Sequence, residues 1–164
     1  MPWTTPISRA PGDLLSATDH NTYTRDNLIY LHSGRPVVAI ERNSGGPYGV
    51  NAAAGWAAVD PANLSPSITL TTGRVLITFM GCIYAQSGQG VHFDVELDGV
   101  RLGGTDGLTR VYTDPNARQA VLTLFKTGLT PGSHTFRLVW RATVDVVYMH
   151  AGPTMPLHFS VAEW

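Results

Sequence analysis

Two residue types are nearly missing. The chain has one cysteine, Cys82, and one lysine, Lys126, in 164 residues. A lone cysteine excludes an intrachain disulfide framework and any cysteine metal motif. Within "RVLITFMGCIYA" it reads as a small buried hydrophobe. Net charge is −1, and no block of like charge occurs. Nucleic acid needs clustered basic residues, so it is excluded as a partner. Charged residues make up 14% of the chain, against roughly 25% in soluble domains. That shortage points to surface hidden against another chain. No apolar run approaches the ~18 residues of a membrane span, which excludes membrane insertion. The opening "MPWTTPISRAPGD" lacks the basic-then-apolar layout of a signal peptide, so the expected setting is a soluble protein made in a cytoplasm.

Catalytic patterns are scarce as well. The histidines at 20, 32, 92, 134, 150 and 158 form no H-x-H or H-E-x-x-H spacing. There is no G-x-S-x-G elbow, and no glycine-rich stretch sits between a strand and a helix. Asp94, Glu96 and Asp98 share one face of a strand, about 6–7 Å apart. Paired carboxylates at that spacing suit a glycosidase. A solvated face paired with Arg137 and Arg141 accounts for them more simply. No enzymatic activity, catalytic residue, metal ligand or cofactor is therefore assigned.

What is present is β-forming. The chain is 43% apolar, with 17 glycines and 11 prolines, which suits many short strands joined by tight turns. Period-two patterning begins at "VVAIER" and recurs in "SITLT", "RVLITFMGCIYA", "TRVYT", "RQAVLTLFK", "HTFRLVWRA", "VDVVYMH" and "LHFSVAEW". In "VHFDVELDGVRLGG", Val91, Phe93, Val95 and Leu97 alternate with polar residues, and Asp98-Gly99 supplies a type I′ turn. The segment "NSGGPYGVNAAAG" reads as a loop, and "WAAVD" as a short strand. About eight to ten strands without intervening helices predict a mainly β fold, an antiparallel β-sandwich of the jelly-roll kind.

Ahead of it lie an extended N-terminal arm and one short α-helix. Prolines at 2, 6 and 11 keep the arm out of helix and central strand, and they leave Trp3 and Ile7 as apolar residues without a core of their own. The helix starts at Ser16, with Asp19 completing an approximate capping box, and ends near Gly34 and Pro36. Tyr23, Asn27, Tyr30 and Leu31 share one side, with Leu28 beside them. So narrow a stripe makes the helix marginal alone; it must lie on something. Residues 1–34 are assigned as an anchoring arm and helix, and 35–164 as the sandwich.

One strand is apolar on both sides. Val75, Ile77 and Phe79 point one way, and Leu76, Met80 and Cys82 the other. "VVYMH" repeats the habit through Val147 and Met149. An antiparallel sandwich buries one face of each sheet, so the second face needs a cover. A neighbouring copy is the favoured cover and the front helix its rival. Leu76, Met80, Val147 and Met149 are the expected subunit interface. Tyr48, Trp56 and Tyr112 fall near turns; core packing or subunit contact is the plain reading, and sugar stacking the other.

The front end, "WTTP", "PGDLLSATDHN" and "RDNLIYL", resembles the opening of many tailed-bacteriophage virion proteins, variously tail-fibre, minor-tail or capsid-associated. Trp3, Pro6, Gly12, Ala17, Asn21, Arg25, Asp26, Asn27, Leu28 and Leu31 carry the likeness, over under a fifth of the chain. "LTPGSHTFRLVWR" and "FSVAEW" more loosely resemble trimeric jelly rolls of viral decoration proteins and of tumour-necrosis-factor and complement-like heads. The resemblance implies a virion location and a homotrimer. It implies anchoring to major capsid or tail proteins of the virion through Trp3, Pro6, Ile7, Tyr23, Asn27, Leu28, Tyr30 and Leu31. Such a subunit is a decoration protein or a short fibre knob. The alternative is a tail-tip protein that binds a host surface glycan.

Overall fold

The computed structural model describes residues 35–85, 88–113 and 115–164, together with Thr5, Ser16, Thr18 and Asn21. The expected arm and helix, including Trp3, Pro6, Ile7, Tyr23, Asn27, Leu28, Tyr30 and Leu31, lie outside the described residues. The chain divides into two compact units, Met1–Pro36 and Val37–Trp164. The second is a β-sandwich.

Its strands run β1 (Val37–Arg42), β2 (Tyr48–Asn51), β3 (Ala57–Ala58), β4 (Ser67–Leu70), β5 (Val75–Ala85) and β6 (Gln89–Leu97). They continue as β7 (Val100–Arg101), β8 (Thr109–Thr113), β9 (Arg118–Lys126), β10 (Gly132–Ala142), β11 (Val146–Met149) and β12 (Leu157–Glu163). In sheet A, β1 pairs with β12, β12 with β5, and β5 with β9, while β2 and β11 extend the sheet beside the far end of β5. In sheet B, β4 and β3 lie on one side of β10, and β6 on the other, followed by β7 and β8. Every pairing is antiparallel. The chain crosses between sheets from β2 to β3, β4 to β5, β5 to β6, β8 to β9, β9 to β10 and β10 to β11. That path is a jelly roll.

Alternation decides what enters the core. Val75, Ile77, Phe79 and Ile83 from β5 meet Val91, Phe93 and Val95 from β6, all essentially without exposure. The Phe79 and Phe93 rings join the two sheets, their centroids 5.1 Å apart, and Trp140 continues the stack at 6.2 Å from Phe93. Burying each such side chain contributes about 1.5–3 kcal/mol. Gly81 makes room for the Phe79 ring, because a Cβ there would stand 3.0 Å from it.

The expected hairpin forms as read, with Asp98 and Gly99 at φ 51° and 84° joining β6 to β7. Three expectations fail. The glycine-rich loop after Arg42 contains a strand, β2, held by β11. Among the described residues twelve strands occur, some of only two residues. Val147 and Met149 are not on the outer surface: both are fully buried in the core. Four consecutive apolar residues in "VVYM" offer no contrast to say which pair turns inward.

Candidate functional site

The two outer faces of the sandwich differ. That of sheet B is roofed by its own chain. The segment from Leu102 to Leu108 folds back over β6, with Leu102 and Leu108 bonded to the backbone of Val95 and Phe93. Beneath it Asp94 is 0% exposed. Its carboxylate accepts from the Val95 and Gly103 amides at 2.8 and 2.9 Å, and from the Arg101 guanidinium at 3.2 Å. His92 is buried too, its Nδ1 2.7 Å from the Asp106 carbonyl. Glu96 pairs with Arg137 as the sequence suggests, but Arg141 reaches Asp106 instead of the β6 carboxylates. The three β6-side carboxylates are thus each tied to a basic partner, Asp98 to His134 at 2.7 Å.

This arrangement answers for two of the candidate sugar-stacking aromatics. The guanidinium carbons of Arg101 and Arg141 lie over the Trp56 ring at 4.3 and 5.2 Å, and His92 meets it edge-on. Trp56 is a clasp between the roof and β10. Tyr48 donates its hydroxyl to Asp60 at 2.8 Å and receives Arg42 Nε. Burial pushes the Asp60 carboxyl up, but hydrogen bonds from Tyr48, Asn63 and Ala62 outweigh it and hold the group below its usual range. Tyr112 alone of the three is well exposed, at 65%, with Arg110 4.5 Å over its ring.

Within the sandwich itself, no described segment roofs the outer face of sheet A. Register places its outward residues in three rows across β1, β12, β5 and β9. The first is Val37, Ala162, Leu76 and Phe125; the second is Ala39, Ser160, Thr78 and Thr123; the third is Glu41, His158, Met80 and Val121. Phe125 is 49% exposed, Val121 52% and Met80 40%. In the middle row Thr78 and Ser160 bond to each other at 2.7 Å, so their hydroxyls satisfy one another across the ladder. Trp164 meets Phe125 edge-on at 6.0 Å. Beyond the third row Cys82 is half-buried on this side, where burial pushes its thiol up from the usual range.

Among the described residues, depressions mark this sheet in three places. One of about 380 Å³ lies at Leu76, Phe125 and Trp164. A second, about 240 Å³, lies at the other end among Met80, Gly81, Cys82, Gln119, Met155 and Pro156. The third, about 350 Å³, follows β1 and β12 around Glu41 and His158. Of the four expected interface residues, the structure therefore brings Leu76 and Met80 together on one surface and removes Val147 and Met149 from it. Sequence reading missed Val121 and Phe125, whose alternation with Ala120, Leu122 and Leu124 left β9 apolar on both sides.

No family model matches the chain, and no curated protein matches it. Among solved structures it is similar to the CBM36-1 domain of a multidomain xylanase from the hindgut metagenome of Trinervitermes trinervoides, at 17% identity and TM-score 0.35, over 70% of this chain and 97% of that one. It is similar to the Tobacco streak virus coat protein at 12% identity and TM-score 0.34, over 77% and 85% of the two chains. It is similar also to the VP2 subviral particle of infectious bursal disease virus, at 13% identity and TM-score 0.37, over 98% of this chain and 41% of that one. Among the described residues no helix is long and apolar enough to cross a membrane.

Proposed function

We propose that the chain is a non-enzymatic structural subunit of a virion. In this reading it is an accessory protein that assembles with copies of itself, three being the expected number. Its N-terminal segment anchors it to the capsid or tail. The observation that carries the reading is the division of the chain at Pro36: the residues with the phage-like motif form one compact unit and the jelly roll another. A helix with so narrow an apolar stripe as the sequence predicts is marginal alone, and a repeated docking surface on a particle would stabilise it. Deleting residues 1–34 should abolish incorporation into particles and leave a folded β-domain by circular dichroism. Normal incorporation of the shortened protein rules the reading out.

Glycan binding is the second reading, and the exposure of Tyr112 favours it. It predicts retention on a host-surface polysaccharide that is lost on Tyr112→Ala. A glycan array without hits counts against it. The clasp role of Trp56 means that Trp56→Ala reports on folding in such an assay.

A further inference from the structure

We infer that Arg110 and Tyr112 on β8 form a binding site for the carboxylate-bearing sugars of an acidic polysaccharide. The inference rests on the glycan-binding reading above and gives it a ligand class and a second contact residue.

Charge singles out the arginine. On the outer face of sheet B, Arg101, Arg137 and Arg141 are paired with Asp94, Glu96 and Asp106 at 3.2, 3.3 and 3.3 Å. Arg110 stands opposite His92 in the β6–β8 ladder, so it shares that face, and it is exposed. Among the described residues it has no acidic partner.

Its guanidinium is held in place all the same. The guanidinium carbon lies 4.5 Å from the centroid of the Tyr112 ring. The group also covers Gly90, the residue directly opposite Tyr112. A Cβ at Gly90 would stand 2.7 Å from both Nε and Nη2 of Arg110, and its three nearest atoms all belong to this guanidinium. Glycine inside a strand weakens it and often marks a close approach. Gly90 is the second residue of β6, where no turn requires it, and the missing side chain provides the seat of Arg110.

The planar fork of a guanidinium matches a carboxylate, and holding it beforehand reduces the entropy lost when one binds. Nucleic acid needs a cluster of such cations, which the sequence lacks. Tyr112 selects among the remaining anions. It is well exposed, and its ring offers an apolar surface for the flat C–H face of a sugar. An acidic polysaccharide repeats both features along one chain, C–H faces for the ring and carboxylates for the fork. An acidic peptide carries its carboxylates on flexible stems and leaves the ring uncovered. One ring and one cation make a weak site, which a repeating ligand and several copies on a particle offset.

The test uses the full chain on a glycan array. The array carries uronate- and sialate-bearing chains, the same chains after carboxyl reduction, sulfated chains and poly-L-glutamate. The wild type should be retained on carboxylated chains, the hits telling uronate from sialate, and about tenfold less on the reduced forms. Arg110→Gln and Tyr112→Ala should each lower retention about tenfold, whereas Arg74→Gln, which removes an exposed charge elsewhere, should not. Gly90→Ala should lower it with both contact residues present, because the new methyl displaces the guanidinium. An unchanged β-sheet spectrum shows that each variant folds; if Tyr112→Ala does not, Arg110→Gln and carboxyl reduction decide the matter. Retention that ignores Arg110→Gln overturns the inference, as does equal retention on reduced chains, sulfated chains or poly-L-glutamate. Retention on neutral chains that needs Tyr112 but not Arg110 overturns this inference and leaves the glycan reading intact. An array with no hits overturns this inference and counts against that reading too.

Discussion

Phe125 stands directly opposite Leu76 in the β5–β9 ladder, and both side chains face away from the core. Directly opposed apolar pairs contribute about 0.2–1 kcal/mol to a sheet, so neither residue is indispensable to the isolated fold. If copies pack on this face, stability depends on protein concentration by mass action. The unfolding midpoint of the wild type should rise over a hundredfold increase in concentration. That of Phe125→Ser should stay flat, and at high dilution the two should agree within about 0.5 kcal/mol. Calorimetry at both concentrations checks this.

Glu163 should govern stability in acid. It is buried at the end of β12 and accepts from the amides and hydroxyls of Thr71 and Thr72. Burial pushes its carboxyl up, but those hydrogen bonds outweigh it and hold the group below the usual glutamate range. A depressed carboxyl stabilises above its unfolded-state pKa and loses that contribution as pH falls through the folded one. Glu163→Gln should cost about 1–3 kcal/mol at neutral pH and flatten the acid limb of the stability curve. Urea denaturation from pH 7 down to pH 3 reads both effects.

His134 should act in the opposite direction. The Thr130 carbonyl, then the Asp98 carboxylate, raise its imidazolium above the usual range. Both ring nitrogens are engaged, at 2.8 and 2.7 Å, which only the doubly protonated ring satisfies as donor. Its stabilisation is fully present below the unfolded value of about 6.5 and is lost as pH rises through the folded one. Asp98 is held low by the Thr135 amide and then by His134, so its own contribution is lost in acid. Wild-type stability should therefore fall on passing from pH 6 to pH 8, and His134→Gln should remove that slope. A chemical-shift titration of the His134 ring follows the same event.

Asp94 should behave as a structural carboxylate. Removing it leaves the Val95 and Gly103 amides without an acceptor beneath the roof and Arg101 without its ion-pair partner. Asp94→Ala should cost about 3 kcal/mol and raise amide exchange between Leu102 and Leu108. An unchanged midpoint with unchanged exchange would show that the roof is held by other means.

The strands were legible wherever one face is polar. In β6 the alternation of Val91, Phe93 and Val95 with His92, Asp94 and Glu96 named the inward side correctly. It could not reveal that a second layer of chain covers the outward side. The roof over Asp94 is built from "LGGTDGL", where glycine conformation and backbone hydrogen bonds do the work and no periodicity appears. At Gly107 a Cβ would stand 2.6 Å from both Trp56 and the Phe93 carbonyl, so the close approach depends on that residue. Strand β2 was hidden for a related reason: tertiary pairing with β11 fixes a short segment whose composition reads as loop. In β5 the apolar outer face was visible from Leu76 and Met80. In β11 uniformly apolar residues left the direction of Val147 and Met149 undetermined.

Strand β12 lies between β1 and β5, so the first and central strands of sheet A never touch and are joined only by the last strand of the sandwich. During synthesis this sheet cannot close until Leu157–Glu163 have emerged from the ribosome. A nonsense codon placed just before Leu157 would not trim an edge. It would leave β1 without a ladder partner and one edge of β5 bare, each ready to recruit stray backbone and aggregate.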